Sequence, residues 1–427
     1  MKKRTFAKLS IMLGAILFQV IFLFWVPPLL VVQGPADVDY IDVGPYAGNY
    51  LVTDGYEGSV KIIDFKTRQI LWRTDEPEFF VHDADMLPDG ECIVVADTTP
   101  DRVFVMNLTT KEIIWDWYAK NQTRDAYCDY WNWTEYAIRQ GWDNTAIAIL
   151  ENFNPPDGYY THLNTVQFIN GSLFNRTYDS ILISLRNLDL VVEVNYTAKK
   201  GEPGYMNITW SYGIPGHRSI LNRQHAPKRW LNGHVTIADS ENSRIIEIDE
   251  NNQLIWEYTD KRLRWSRDCE LLPNGNYLIV DSINNRIIEV NKTTNQIVRT
   301  FSQGLNLPYE ADLTTEGKVI VGNTMANNII IYDYNSGGIV DRIGFNFLFM
   351  PLILTFGLII VYYAIDCILQ FRAMHGKSIK ERLKFHKIYS KIILIGVLAG
   401  IIIAFNLLIA VMWNYSLWKM AEFLLHP

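Results

Sequence analysis

Short apolar runs recur along most of this chain, and a polar turn ends each of them. The segment 221–258 shows the repeated unit in full, with a turn at Asn232–Gly233, an apolar run that ends at Ala238–Asp239, a second run over Ile245–Ile248 and a last one that closes on Trp256. Runs this short, separated by turn residues, are typical of β-strands. Four of them in series predict one antiparallel sheet, the blade of a β-propeller.

Five further segments follow the same pattern. Together with the first, the copies occupy 49–72, 80–117, 159–197 with 208–210, 221–258, 266–301 and 308–343. The copy nearest the N-terminus lacks a clear innermost strand, and we expect residues 37–45 to supply it. Six copies predict an all-β protein, a six-bladed β-propeller over residues 34–344.

A longer segment, 118–158, separates the second copy from the third. It is rich in aromatic residues and ends in Pro-Pro-Asp-Gly, which predicts a loop excursion with a short helix around Glu135–Gln140. Long insertions of this kind often carry function, and we expect this one to be a lid over one mouth of the propeller. A packing flap with no role in binding fits the same sequence.

Three apolar segments outside the repeats are long enough to cross a bilayer. They run over Phe6–Val32, Phe345–Ile365 and Ile392–Trp413. The first follows a basic N-terminus and has no evident cleavage site, which predicts an uncleaved anchor, with a cleaved signal peptide as the alternative. The predicted fold class is therefore a six-bladed β-propeller with one N-terminal and two C-terminal transmembrane helices.

The basic segment between the last two spans sets the predicted topology. Positive charge concentrates on the cytoplasmic side of membranes, so the segment 372–391 and the N-terminus are placed in the cytoplasm and the propeller outside. The remaining predicted domains are the cytoplasmic tip with its anchor (1–33), the two transmembrane helices (345–371 and 392–413) and an external tail (414–427). We expect an integral protein of the plasma membrane, with the lipid bilayer as a partner.

Composition supports an external propeller and excludes some functions. Eight Asn-x-Ser/Thr sequons, typical of extracellular glycoproteins, lie within the predicted propeller that is placed outside: Asn107, Asn121, Asn132, Asn170, Asn175, Asn195, Asn207 and Asn291. A net charge of −7, from 39 basic and 46 acidic residues, argues against nucleic acid as a partner. No Cys-x-x-Cys motif is present, so no structural zinc site is expected, and one disulfide among Cys92, Cys128 and Cys269 stays open.

The copies differ most at one position, eight residues before the turn glycine. That position marks the start of the innermost strand, so its residues converge on one mouth of the central channel. Its occupants in the second, fourth, fifth and sixth copies are His82, His225, Arg267 and Tyr309, and the third copy has His162 nine residues before Gly171. Three of the external histidines are therefore expected to meet at one mouth.

The end of the second strand returns to the same mouth, and the third copy is exceptional there. It has Leu185–Arg186, which places a cation beside His162, and Asn164 faces the channel as well because it lies two residues further along the strand. The other copies have small polar pairs, Asp97–Thr98, Asp239–Ser240, Asp281–Ser282 and Asn323–Thr324. Arginines five residues after the aspartates recur from copy to copy and are interpreted as structural: Arg102, Arg244 and Arg286.

Three imidazoles, a guanidinium and a carboxamide at one mouth fit an oxyanion such as sulfate or phosphate. The planar guanidinium of arginine can donate two parallel hydrogen bonds to an oxyanion, and histidine and asparagine add further hydrogen-bond donors. A neutral imidazole is also a nucleophile that can carry a transferred group. Metal binding by the histidines is a second interpretation, although strand alternation would turn Asp83 away from the face of His82. A channel that only binds a ligand is the third. We predict the oxyanion site, with no metal and no cofactor.

Three ordered motifs resemble those of the arylsulfotransferase family: HDADMLPDG from His82, THLNT and ISLRN around His162 and Arg186, and RQHAP around His225. Members of this family are six-bladed propellers that transfer sulfuryl groups without the nucleotide donor PAPS. The resemblance covers nearly all of residues 40–343 and implies ping-pong transfer from an aryl sulfate donor to a phenolic acceptor. It implies that His225 is the nucleophile and that the sulfuryl-binding residues are His82, His162, Asn164 and Arg186.

Two departures from the family bear on the substrate. Leu163 and Thr165 stand where the family motif is expected to have Ile and Ser. This chain also carries three predicted spans, whereas the better-known members are soluble periplasmic enzymes. A membrane-tethered external enzyme implies a phenolic or surface-glycan acceptor. The alternative function is a non-enzymatic extracellular propeller that serves as a binding or adhesion scaffold.

Overall fold

Six four-stranded antiparallel sheets dominate the part of the chain that the computed structural model describes, which comprises residues 31–74, 80–119, 132–152, 158–199, 202–344 and 378. Each sheet contains four strands that are consecutive in the sequence and neighbours in the sheet. The protein is therefore a mostly-β six-bladed propeller, as the repeats predict.

The bounds of the strands follow the predicted copies. Blade 1 is β1 (Pro35–Tyr40), β2 (Tyr50–Asp54), β3 (Ser59–Ile63) and β4 (Ile70–Arg73); blade 2 is β5 (Val81–Met86), β6 (Cys92–Asp97), β7 (Arg102–Asn107) and β8 (Ile113–Tyr118); blade 3 is β9 (Leu163–Ile169), β10 (Ser180–Leu185), β11 (Leu190–Asn195) and β12 (Ile208–Gly213). The innermost strand of blade 1 begins two residues before the expected segment 37–45.

The second half of the propeller is equally regular. Blade 4 is β13 (His225–Arg229), β14 (Val235–Asp239), β15 (Arg244–Ile248) and β16 (Leu254–Thr259); blade 5 is β17 (Ser266–Leu271), β18 (Tyr277–Asp281), β19 (Arg286–Val290) and β20 (Ile297–Phe301); blade 6 is β21 (Pro308–Leu313), β22 (Lys318–Asn323), β23 (Asn328–Asp333) and β24 (Ile339–Gly344).

The position of a strand in its blade decides how much of it is buried. The second strands β14 and β18 are buried along their whole length, because neighbouring blades cover both of their faces. The outer strand β16 is covered less, and its Leu254 and Ile255 are 52% and 47% exposed. Continuous apolar runs in the middle of each copy and mixed runs at its end follow from this layering.

A hydroxyl at the end of the second strand fastens a blade to the next one. Ser240 Oγ donates to the Ser266 carbonyl at 2.6 Å, and Ser282 Oγ donates to the Pro308 carbonyl at 2.6 Å. In both cases the acceptor is the first residue of the next inner strand. The repeated small polar pairs are therefore blade-to-blade fasteners. In blade 3, Arg186 stands where blades 2, 4, 5 and 6 carry this hydroxyl.

The ring closes between blades 6 and 1, and we call this contact the closing seam. Each of these two blades is built entirely from its own end of the described chain, so no strand is exchanged across the seam. Thr324 Oγ1 donates to the Pro35 carbonyl at 2.6 Å, and the Val38 N–H donates to Glu310 Oε2 at 2.9 Å. Apolar side chains of both blades also form one buried cluster. Side-chain contacts therefore hold the first and last blades together.

The insertion between blades 2 and 3 contains two helices, α1 (Trp133–Gln140) and α2 (Asn144–Asn152). The first confirms the helix expected around Glu135–Gln140, and the second was not expected. The Tyr136 hydroxyl donates to Ser211 Oγ at 2.9 Å, so α1 is attached to the outer strand of blade 3. Whether the insertion acts as a lid stays a prediction.

Several predictions concern residues outside the described ranges. These are residues 120–131 and 153–157 of the insertion, residues 1–30 of the predicted anchor, the spans 345–371 and 392–413, the basic loop 372–391 apart from residue 378, and the tail 414–427. Within the described ranges, every helix is too short or too polar to cross a membrane. The three spans and their topology therefore stay predictions.

The cysteines that the structure describes are not paired with each other. Cys92 lies in β6 of blade 2 and Cys269 in β17 of blade 5, and both are buried free thiols. Cys128, the third external cysteine, lies outside the described residues. A disulfide between Cys92 and Cys269 is thus excluded.

Removing one blade fastener is expected to destabilise the propeller. In the Ser282→Ala variant the Pro308 carbonyl stays buried but loses its donor, so we expect the free energy of unfolding to fall by about 1–3 kcal/mol. Denaturant unfolding followed by tryptophan fluorescence measures this change. The matched control is Ser302→Ala, an exposed serine just after β20, for which a change within about 0.5 kcal/mol is expected. Equal stability of the two variants would contradict the fastener role.

Candidate functional site at one mouth of the propeller

A β-bulge near the start of each inner strand aims side chains at the channel. In β5, Val81 pairs with Asp97 and Asp83 pairs with Ala96, which leaves His82 without a partner in the ladder. Bulges bend a strand and redirect its side chains. As a result His82 and Asp83 both line the channel, and the expectation that alternation turns Asp83 away from His82's face was wrong.

The bulge residue of blade 3 is Asn164, not His162. Asn164 lies between two ladder pairs of β9, whereas His162 precedes the strand with a left-handed φ of 47°. The expected equivalence of His162 with His82 was therefore wrong by two residues. The physical reason lies in Gly171, the turn glycine from which the position was counted in this copy. Gly171 opens a short 3-10 turn, Gly171–Phe174, and does not correspond to the hairpin glycines of the other copies.

The rings of His82 and His162 are nevertheless in contact, with centroids 5.2 Å apart. Phe80 packs edge-on against His82 at 4.8 Å, and Tyr159 packs edge-on against His162 at 5.6 Å. Phe80 and Tyr159 in turn stack on each other at 5.9 Å. The two aromatic side chains thus support both imidazoles and restrict the orientation of their rings.

The hydrogen bonds around His225 determine its tautomer. His225 Nδ1 lies 2.7 Å from Ser240 Oγ. The Ser240 hydroxyl hydrogen is already donated to the Ser266 carbonyl, as Ser282 donates to Pro308 in the next blade. Ser240 Oγ therefore accepts a hydrogen bond from His225 Nδ1–H, and Nε2 carries the lone pair. Within the described part of the chain, this buried Nε2 has no hydrogen-bond partner.

Burial keeps two of the imidazoles uncharged. Removal from water lowers the pKa of His225 well below its ordinary value, and the charges of Arg267 and Arg186 lower it further. The pKa of His82 is also well below its ordinary value, first through burial and then through the positive charge that His162 and the two arginines place nearby. Both rings are therefore neutral near pH 7, the form in which imidazole is a nucleophile.

Arg186 is the first of two buried cations at this mouth. It opens a short 3-10 turn, Arg186–Leu188, directly after β10, and it is only 6% exposed. Its charge reaches His82 and His225, because it contributes to lowering the pKa of both. A guanidinium thus occupies the place of a fastening hydroxyl, next to two neutral imidazoles.

Arg267 is the second buried cation, and it was not among the predicted site residues. It belongs to the bulge of β17, is 5% exposed, and lines the same cavity as His225. Its guanidinium carbon lies over the rings of Trp265 and Tyr309, 4.1 Å and 3.6 Å from their centroids, which stabilises a buried charge. The signal for it was present in the sequence, since Arg267 holds the same repeat position as His82.

The repeated arginines, by contrast, pair with aspartates of their own blades. Arg244 Nε donates to Asp239 Oδ2 at 2.7 Å, and Arg286 Nε donates to Asp281 Oδ2 at 2.7 Å. Arg102 makes the corresponding bond in blade 2. These contacts agree with the structural interpretation of this row of arginines.

The site residues surround the mouth of a channel cavity of about 310 Å³. Those that line it are His82, Asn164, His225 and Arg267, while His162 and Arg186 adjoin them through the ring contact and the electrostatic effects above. The structure thus brings all five predicted site residues to one mouth and adds a second guanidinium. Two permanent cations and several neutral donors can hold a tetrahedral oxyanion, and a lone-pair nitrogen stands beside them.

Comparison with known proteins assigns no family. No protein-family model matches the sequence, and no curated protein matches it. Similar solved structures include virginiamycin B lyase from Staphylococcus aureus, with 12% identity, a TM-score of 0.47 and coverage of 74% of this chain and 87% of that one. A streptogramin B lyase has 11% identity and a TM-score of 0.47, and the match covers 74% of this chain and 85% of that one. A protein of unknown function from Bacteroides caccae has 12% identity and a TM-score of 0.45, and the match covers 69% of this chain and 93% of that one. Similarities of this size carry no inference about activity.

Proposed function

We propose that this protein is a PAPS-independent sulfotransferase of the arylsulfotransferase type, with His225 as the covalent carrier of the sulfuryl group. The observation that carries the proposal is the tautomer of His225. Ser240 holds its Nδ1–H, and its Nε2 keeps a lone pair beside the buried cations Arg186 and Arg267. A nitrogen nucleophile needs such a lone pair at neutral pH. The three ordered sequence motifs support the same assignment.

In the first half-reaction, the lone pair of His225 Nε2 attacks the sulfur of an aryl sulfate. The N–S bond forms while the S–O bond to the aryl group breaks, and the phenolate leaves with that electron pair and takes a proton from solvent. Positive charge develops on the ring and is stabilised through Nδ1–H by Ser240, whose own hydroxyl is anchored on the Ser266 carbonyl. Arg186 and Arg267 neutralise the sulfuryl oxygens of the anionic donor.

The second half-reaction regenerates the enzyme. The hydroxyl oxygen of a phenolic or glycan acceptor attacks the sulfur of the sulfohistidine, the N–S bond breaks, and its electron pair returns to Nε2. The acceptor proton leaves to solvent. His82, His162 and Asn164 supply further hydrogen-bond donors to the sulfuryl oxygens, which keeps the group oriented between the two displacements.

The proposed setting is the outer face of the plasma membrane. Support comes from the sequence, in which three apolar segments flank the propeller, a basic loop at 372–391 marks the cytoplasmic side, and eight sequons lie in the propeller. A tether of this kind favours acceptors close to the bilayer, such as surface glycans or membrane-associated phenols. No cofactor is part of the proposed reaction.

An assay with a chromogenic aryl sulfate tests the proposal. Full-length protein in detergent is mixed with 4-nitrophenyl sulfate in the absence of PAPS and of an acceptor. We expect a burst of about one nitrophenol per chain, with the sulfuryl group on the peptide that contains His225, and renewed turnover when phenol is added. A non-enzymatic scaffold would release no nitrophenol from any aryl sulfate. That result, or a sulfuryl group on another residue, would refute the mechanism.

A further inference from the structure

Beyond the site residues, the inner strands line the channel with carboxylates. Lys228, on β13, is the one lysine among the described residues that line the cavity. The carboxylates are Asp37, Asp39, Asp83, Asp85, Asp268, Glu270, Glu310 and Asp312, which come from the inner strands of blades 1, 2, 5 and 6. Such an excess of negative charge inside a protein requires compensation.

Part of this acidity has a structural task. One oxygen of a carboxylate accepts a backbone N–H of the next inner strand, as in the bond from Ala84 N–H to Asp37 Oδ2 at 3.1 Å. Equivalent bonds join Val166 to Asp83 at 2.6 Å, Ala311 to Asp268 at 3.2 Å and Val38 to Glu310 at 2.9 Å. These bonds explain why acidic residues stand at this position, but each of them uses only one oxygen of its carboxylate.

The carboxylates include two groups of three, and Lys228 forms ion pairs with every member of one of them. Asp268, Glu310 and Asp312 place one oxygen each within 4.8 Å of the others. Lys228 Nζ lies 3.4 Å from Asp268 Oδ1, 3.3 Å from Asp312 Oδ1 and 3.7 Å from Glu310 Oε1. Burial lowers the pKa of Lys228, but the charges of Asp268, Asp312 and Glu270 outweigh it and raise the pKa well above its ordinary value. This group therefore has a permanent cation of its own.

The other group, Asp37, Asp39 and Glu310, lies at the closing seam between blades 1 and 6. Its three ligand oxygens also lie within 4.8 Å of one another. Lys228 contacts only the Glu310 member of this group, since its ion pairs in the described structure do not include Asp37 or Asp39. Asp37 is 2% exposed, and its Oδ1 has no hydrogen-bond partner among the described residues. A buried carboxylate oxygen without a partner is costly, and a cation bound beside it would remove that cost.

We propose that Asp37, Asp39 and Glu310 bind one Ca²⁺ ion. Carboxylate oxygens without nitrogen or sulfur ligands favour a hard cation. Ca²⁺ takes ligands at about 2.3–2.6 Å, so two oxygens on opposite sides of the ion are roughly 4.8 Å apart. The three oxygens lie within 4.8 Å of one another, so one such ion can contact all three. The surrounding channel, about 310 Å³ in volume, leaves room for the waters that complete its coordination.

The position of this site gives the ion a structural function. Asp37 and Asp39 belong to β1 and Glu310 belongs to β21, the inner strands of the first and last blades. These blades share no strand, so a bound ion would join them directly where the ring closes. Ca²⁺ therefore acts as a clamp on the closing seam. The clamp is independent of sulfuryl transfer, because its ligands are not among the residues that hold the sulfuryl group.

Calcium binding by the full-length protein in detergent tests this inference, without any sulfate donor present. After divalent ions are removed with EDTA, calorimetry with CaCl₂ is expected to show one site per chain. We expect about 1 mM CaCl₂ to raise the Tm of the propeller by at least about 5 °C, and MgCl₂ to raise it less. Asp39→Asn and Glu310→Gln, which keep the shape of each side chain, should each weaken Ca²⁺ binding by about tenfold or more.

The matched control is Asp85→Asn, which removes a channel carboxylate that belongs to neither group. Its Ca²⁺ affinity should fall by less than that of Asp39→Asn, because Asp85 places a charge near Asp39 but contributes no ligand oxygen. Calorimetry on the unmodified chain does not depend on the folding of any variant. Absence of a stoichiometric site there would overturn the inference, as would Mg²⁺ binding that is as tight as Ca²⁺ binding. Equal Ca²⁺ affinities of Asp39→Asn and Asp85→Asn would overturn the assignment of the ligands.

Discussion

The His225→Asn variant is expected to transfer the sulfuryl group from an aryl sulfate to phenol at least about 10³-fold more slowly than the unmodified protein. The asparagine amide N–H can donate to Ser240 Oγ in place of His225 Nδ1–H, but the amide nitrogen has no nucleophilic lone pair to attack sulfur. The burst of nitrophenol and the sulfuryl group on the peptide around residue 225 should vanish together. Stopped-flow absorbance and peptide mass spectrometry measure the two effects separately.

A second histidine provides the matched control for this prediction. His217 lies on the surface, where its Nε2 is 3.0 Å from Asp143 Oδ2, so His217→Asn makes the same chemical change away from the channel. Its transfer rate should stay within about twofold. Thermal unfolding of both variants separates lost chemistry from lost folding. A folded His225→Asn protein that keeps a rate within about tenfold of the unmodified enzyme would falsify the proposed nucleophile.

Replacing either buried cation should lower transfer by about 10²–10³-fold, the usual cost of removing one donor that stabilises a transition-state oxyanion. Methionine fills much of the volume of arginine but carries no charge, so Arg186→Met and Arg267→Met remove the guanidinium with little change in packing. Because both charges act on His225, their loss should also raise the pKa of that imidazole. The pH below which the burst is lost should therefore be higher in both variants than in the unmodified protein.

Arg286→Met is the control for the two arginine variants. Arg286 pairs with Asp281 in blade 5 and belongs to the repeated row outside the site. This variant is expected to lose some stability because Asp281 loses its ion pair, yet its transfer rate per folded molecule should stay within about threefold. An equal loss of transfer in Arg286→Met and Arg186→Met would show that the effect is structural and that the mouth arginines do not bind the sulfuryl group.

Most of the fold could be predicted from local sequence patterns. A short strand needs only a few apolar residues and a turn, and both are visible in a single copy such as 221–258. The predicted number of blades then rests on several copies, so one divergent copy does not change it. The second helix of the insertion was missed, since Asn144–Asn152 has no acidic first turn and no basic last turn to mark it.

The candidate site was predictable only where one copy departs from the others. Arg186 stood out because four of the other copies have serine or threonine at that place. Arg267 was missed, because a cation among histidines at one repeat position looks like variation until its burial is known. The position of Asp83 was predicted wrongly because a β-bulge interrupts alternation, and a bulge of one residue leaves no clear mark in a single sequence.

The amino-acid pattern was enough to predict the number of blades, the strands of each blade and the residues that distinguish one copy from another, because these depend on local periodicity and repetition. The folded protein was needed to recognise the tautomer of His225, the second guanidinium at the mouth and the acidic group at the closing seam. Each of these depends on distances between blades. Residues such as Asp37 and Glu310 are more than 270 positions apart in sequence, and closure of the ring alone makes them neighbours.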